Sequence, residues 1–148
     1  DLMPVALQPG LRVTVSPDNG SGGRAGFLSI EHTATGVDLK VMGSSLDSSG
    51  KLVWTTQTVA TNLNPQLRQS ITMTVTKKLD TKKSTNNDTF TVQLKGKPAK
   101  TTTFEAYYHY MQEPNYQTDT LLFRVSGTAV PSLMGHGMYF DNVSLATS

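Results

Sequence analysis

The residues of this chain with the means to do chemistry are a few carboxylates, three histidines and a run of tyrosines, and their spacing decides which chemistry is open. The glutamates are Glu31, Glu105 and Glu113. Glycoside hydrolysis needs two carboxylates facing each other across a cleft, about 5–10 Å apart. On a strand that requires Asp or Glu at i and i+2 or i+4, and none of the three glutamates has such a partner. His32, His109 and His136 lack a second ligand at metal spacing, whereas zinc takes three or four convergent ligands. Exposed or locally bonded imidazoles are therefore expected. The chain has no cysteine, which removes thiolate nucleophiles and thiolate metal sites. No Gly-x-Ser-x-Gly turn nominates a serine nucleophile. The expectation is a protein without a catalytic residue, not an enzyme.

Oxygen donors and aromatic rings remain. Asp141 and Asn142 lie in the last strand-like run, and calcium takes such side-chain and backbone oxygens. They are the candidate metal ligands, although bonds to backbone amides would satisfy them without an ion; no other cofactor is expected. The stretch Thr101–Tyr116, TTTFEAYYHYMQEPNY, holds five of the eleven aromatic residues. Sugars present apolar C–H faces that stack on aromatic rings, with hydroxyls bonded by polar side chains. Tyr108, Tyr110 and Tyr116, with Gln112 and Asn115, carry that vocabulary and are the candidate ligand-binding residues, with Trp54 beside them. The competing role is structural: Phe104, Tyr107 and Trp54 as a plug for the core, with Glu105 paired to Arg124. Phe104, Tyr107 and Tyr108 fall at i, i+3 and i+4, so at most one short helical turn is expected near residues 104–110.

The elements that must position these residues read as strands. Leu11–Val15, Phe27–His32, Val37–Met42, Leu52–Val59, Ile71–Thr76, Asp88–Leu94, Thr120–Ser126 and Met138–Leu145 are short runs with alternating or apolar character. In Phe27–His32, Leu28, Ile30 and His32 oppose Phe27, Ser29 and Glu31; in Val37–Met42, Val37, Leu39 and Val41 oppose Asp38 and Lys40. That pattern marks a sheet with one buried face. Ser70–Leu94 is the clearest supersecondary unit, a hairpin with a polar tip. Residues 1–10 carry two prolines and read as an N-terminal arm. With no helical period beyond about seven residues, 148 residues make one all-β domain, a two-sheet antiparallel β-sandwich.

Charge and composition narrow the partners. A formal charge of +2 argues against nucleic acid. Seven lysines between Lys77 and Lys100 read as a solvated hairpin and its flanks, because they lack arginine forks and interleaved aromatics. No apolar run approaches the roughly 20 residues of a membrane helix, so no transmembrane segment is expected. Thr and Ser account for 34 residues, a bias common in secreted and surface β-proteins.

From Asp88 onward the motifs NDTFTVQLKG, TTFEAYYHY, TDTLLFRVSG and GMYFDNVSL follow one another. This order resembles bacterial extracellular domains of the concanavalin A-like, laminin-G-like jelly-roll class. The matching residues are Asn87, Asp88 and Gly96; Phe104, Glu105, Tyr107 and Tyr108; Leu121–Arg124; and Tyr139–Leu145. The likeness spans about 60 residues, and a closing Asp-Asn-Val strand also occurs in carbohydrate-binding modules, so it specifies a jelly roll better than one family. The Glu-x-Asp-x-x-Glu pattern of that class's hydrolases is absent. The resemblance implies a non-catalytic, secreted or surface-exposed lectin-like module with a glycan partner bound weakly. A structural or adhesive surface protein without a small ligand, and a polysaccharide-active hydrolase or lyase, stay open beside it.

Overall fold

The computed structural model describes residues 1–4, 7–23, 25–78, 87–112, 118–127 and 138–143. Among the described residues ten strands and one short helix follow in order: β1 (Leu2–Pro4), β2 (Leu11–Asp18), β3 (Phe27–His32), β4 (Val37–Leu46), β5 (Leu52–Leu63), β6 (Ile71–Thr76), β7 (Thr89–Leu94), β8 (Lys100–Thr103), α1 (Glu105–Met111), β9 (Thr120–Gly127) and β10 (Met138–Phe140). Every strand pairing is antiparallel. One sheet has the order β5-β4-β3-β2-β9 and another the order β6-β7-β8. The β1–β10 pair is tied to the approach to β6, where Leu2 and Gln69 exchange backbone hydrogen bonds of 2.8 and 2.7 Å.

Alternation decides what is buried. Val13, Val15, Leu28, Ile30, Leu39 and Val41 come from one face of the five-stranded sheet, and Phe90, Val92 and Leu94 from β7; all belong to a single buried cluster. Each such side chain contributes roughly 1.5–3 kcal/mol on leaving water. The all-β character and the antiparallel sheets expected from the sequence are present. The sheets are open, not closed on one another.

Several boundaries move. The segment read as an N-terminal arm contains β1. Lys100–Thr103 is a strand although its sequence, KTTT, has no apolar alternation. At this corner the two sheets come close enough for side chains to reach across. Ser44 Oγ donates to the Phe104 carbonyl at 3.1 Å, and Thr103 Oγ1 to the Ser44 carbonyl at 3.1 Å. Gln57 Nε2 donates to the Thr101 carbonyl at 2.6 Å, and the Thr55 and Thr102 hydroxyls lie 3.0 Å apart. Gly43 makes the approach possible: a β-carbon there would sit 2.4 Å from the Thr103 carbonyl oxygen.

The helix forms where the aromatic spacing places it and is held at both ends. Glu105 stands in the first turn, favourable for the helix dipole. Its carboxylate accepts from the Asn87 amide at 2.9 Å and lies 2.7 Å from His109 Nε2. Gln112 closes the helix in the left-handed conformation, φ 54°, its N–H directed at the His109 and Tyr108 carbonyls. Glu105 is thus committed to α1 and the approach to β7, and the expected Glu105–Arg124 pair does not form.

Candidate ligand-binding groove

The face of the five-stranded sheet turned away from the core carries the site. Strand register places Arg12 beside Glu31, Thr14 between Ser29 and Arg124, Phe27 beside Met42, and Ser44 beside Trp54. A face of this composition would ordinarily be solvated, yet Phe27 is only 6% exposed and Thr14, Ser16 and Ser29 are fully buried. The loop after β2 explains part of this cover. Asp18 Oδ1 accepts the amides of Gly20 (2.7 Å) and Gly22 (3.0 Å), curling the chain back over the strand end. Gly22 has φ +80°, which glycine adopts without strain, and its carbonyl accepts a hydrogen bond from Arg124 Nη2. The neighbouring Gly23 packs so closely on Tyr107 that a β-carbon there would lie 3.1 Å from Cε1.

Between these parts lies an open groove of about 400 Å³, lined by Arg12, Gly22, Phe27, Met42, Trp54, Tyr107 and Arg124. Its aromatic wall is a chain of tilted rings. Phe27 and Trp54 have centroids 6.0 Å apart, and Trp54 and Tyr107 5.9 Å. The chain continues into the core through Tyr108 and Phe104, with edge-on contacts of 6.0 and 6.1 Å. Tyr108 and Phe104 therefore anchor α1, and α1 presents Tyr107. Trp54 remains 45% exposed, a ring fixed at its edges with a surface still open to solvent.

The polar side of the groove is cationic. The Arg12 guanidinium sits 5.6 Å above the Phe27 ring. Arg12 Nε donates to Ser29 Oγ at 2.8 Å, and Ser29 passes the bond to Glu31 Oε1 at 2.9 Å. Lys40 Nζ donates to the other Glu31 oxygen at 2.5 Å. Partial burial pushes the Glu31 carboxyl upward, but the hydrogen bonds from Lys40 and Ser29 and the charges of Lys40 and Arg12 outweigh it. The result lies below the ordinary value of 4.5. A depressed folded-state pKa means that the stabilisation is complete above about pH 4.5 and is lost as pH falls through the folded value. Glu31→Gln is thus expected to lower Tm at pH 7 while flattening the fall of Tm between neutral pH and pH 3. A parallel pair of Tm–pH curves for the two proteins would contradict this role.

The residues nominated from sequence are dispersed. Tyr108 is fully buried, so it offers no face to a ligand; its ring belongs to the core. Tyr110, at 51% exposure, and Gln112 lie on the exposed end of α1 outside the groove. Asn115 and Tyr116 fall outside the described residues, as do Glu113 and His136. Trp54, expected to be core if structural, instead stands at the rim of the groove. Phe27, Arg12 and Arg124 were not nominated as a site. The signal available for them was a phenylalanine on the polar face of FLSIEH.

Asp141 and Asn142 are engaged elsewhere. Arg68 bonds Asp141 Oδ2 through Nη2 and lies 3.2 Å from Asp1 Oδ2 through Nε, so a guanidinium supplies the positive charge between the two carboxylates. Asp141 Oδ1 accepts the Asn142 amide at 2.8 Å. Among the described residues no group of three or more His, Cys, Asp or Glu side chains converges as a metal set. EDTA is accordingly expected to leave Tm unchanged, while Arg68→Met lowers it by a few degrees, since exposed pairs contribute about 1 kcal/mol or less. A drop of several degrees on chelation would reassign the carboxylates to calcium.

Among the described residues no helix is long and apolar enough to cross a membrane. Comparison of the chain with known protein families, with characterised proteins and with solved structures finds no match.

Proposed function

We propose that this chain is a non-catalytic carbohydrate-binding module, secreted or displayed at a cell surface, and that its saccharide seats in the groove bounded by Trp54 and Tyr107. The observation that carries the proposal is the Phe27–Trp54–Tyr107 ring chain: it presents an exposed indole held at its edges by two rings, beside hydrogen-bonding groups. A sugar C–H face stacks on such a ring at little conformational cost, because the ring is already fixed. The groove is open and shallow, which suits weak binding of an extended chain better than enclosure of a small molecule.

A jelly-roll arrangement of the concanavalin A-like kind belongs to the same proposal. In its favour, β9 returns from late in the chain to lie beside β2, giving the spatial order β9-β2-β3-β4 in which a long connection brings a strand back next to the first of three consecutive ones. The non-catalytic character is supported by the commitments of the carboxylates: Glu31 is held by Lys40 and Ser29, and Glu105 by His109 and the Asn87 amide. The threonine- and serine-rich composition accords with an extracytoplasmic setting.

A glycan array probed with the wild type, Trp54→Ala and Tyr110→Ala tests the site. A saccharide seated in the groove predicts loss of binding in Trp54→Ala, by roughly tenfold or more, with Tyr110→Ala unaffected and a cooperative melt recorded for each protein to show that it is folded. Binding lost in Tyr110→Ala and kept in Trp54→Ala would move the site to the end of α1. No binding to any glycan at millimolar concentration would reject the function in favour of a structural or adhesive role.

A further inference from the structure

We infer that the groove selects an acidic saccharide, one whose ring stacks on Trp54 while a carboxylate or sulfate on it meets Arg124 and Arg12. This rests on the saccharide-binding function proposed above and specifies the class of sugar. Among the described residues, the side chains lining the groove include two guanidiniums and one phenol, and no carboxylate or side-chain amide. A neutral sugar's hydroxyls both donate and accept, whereas guanidiniums are donors only, so this lining offers few acceptors for hydroxyl protons and suits a ligand that only accepts. Glu31, beside Arg12 in the register, already takes bonds from Lys40 and Ser29.

Arg124 is the sharper indicator. Its Nη2 donates to the Gly22 carbonyl, a neutral group, and no carboxylate of the described residues pairs with it. The bond to Gly22 holds one end of the guanidinium at the groove wall, and among the described residues no carboxylate takes its other N–H groups. Arg12 is fixed in a comparable way by Phe27 beneath it and Ser29 beside it. The carboxylates of this face stand outside the lining and are already bonded: Glu31 to Lys40 and Ser29, Asp38 to the Asn62 amide, and Asp18 to the Gly20 and Gly22 amides. Preoriented planar guanidiniums are the groups that recognise carboxylate and sulfate oxygens in a forked geometry.

The probes are a tetragalacturonate, its fully methyl-esterified form, a neutral galacto-tetraose, a heparin-derived tetrasaccharide and polyglutamate, each titrated against the protein by calorimetry. The expected result is tetragalacturonate binding roughly tenfold or more tighter than its methyl ester, weakening with salt. Arg124→Gln removes that difference, and Arg124→Lys, which keeps the charge but not the fork, restores it only in part, with Tm recorded for both variants. Equal binding of the acid and its ester overturns the inference and leaves saccharide binding standing. Binding of polyglutamate as tightly as tetragalacturonate also overturns it, since charge alone would then suffice. Absence of binding by every saccharide overturns the inference together with the function it rests on. The heparin-derived probe carries sulfates beside its uronate carboxylates: binding alongside tetragalacturonate shows that a sulfated acidic saccharide is accepted, and its exclusion shows that the unsulfated uronate is selected.

Discussion

Gly43→Ala is expected to cost about 3 kcal/mol, near the upper end of overpacking penalties, and to lower Tm by roughly 6–12 °C for a chain of this size. The reason is backbone geometry. The added methyl would lie 1.9 Å from Thr102 Oγ1 and 2.4 Å from the Thr103 carbonyl oxygen, and β8 cannot retreat without breaking the bonds from Thr103 to Ser44 and from Gln57 to Thr101. The threonine side chain could rotate away, but the carbonyl is part of a strand. Gly50→Ala is the matched control: a β-carbon there meets nothing within 4 Å, and φ +77° leaves only the cost of the left-handed conformation, about 1–2 kcal/mol. Thermal melts of both variants check the contrast. Equal Tm values would mean that the two sheets do not approach at this corner as described.

Tyr108→Ala is the second large effect, expected at about 3–5 kcal/mol by analogy with other buried aromatics cut to alanine. Tyr108 is fully buried between Phe104 and Tyr107, so its loss empties the anchor of α1 and loosens Tyr107 at the groove. Tyr110→Ala, on the exposed side of the same helix, should fall within about 0.5 kcal/mol of wild type. Urea denaturation with unchanged m-values measures both. Near-equal costs for the two tyrosines would contradict the assignment of one to the core and the other to the surface.

That pair of neighbouring tyrosines also shows what the sequence could disclose. The i, i+3, i+4 spacing of Phe104, Tyr107 and Tyr108 is local information, and it locates the helix and its buried side. Alternation in Phe27–His32 and Val37–Met42 is equally local, and the core residues it implies, Leu28, Ile30, Val37, Leu39 and Val41, are buried. What alternation cannot reveal is a second cover. Phe27 shares the polar face with Ser29 and Glu31, and it is buried only because Trp54 and Arg12 close over it. The Arg124 bond to Gly22 joins residues 102 apart, and nothing in either local stretch announces it. The strand Lys100–Thr103 escaped for the same reason: Thr102 is buried because Gly43 of another strand lets β8 approach, not because KTTT alternates. The groove was thus illegible as a site while several of its parts were in plain view.

The chain contains one tryptophan, and it stands in the proposed site, so intrinsic fluorescence reports on the groove without a label. Titration with tetragalacturonate, excited at the indole band, is the most direct test of saccharide binding there. A saccharide ring stacking on Trp54 predicts a saturable change in emission intensity and a blue shift, as water is displaced from the exposed indole. The same titration on Tyr110→Ala should give an unchanged midpoint. A protein that binds the oligosaccharide by calorimetry while its tryptophan emission stays constant would contradict the account, because the ligand would then be seated away from Trp54.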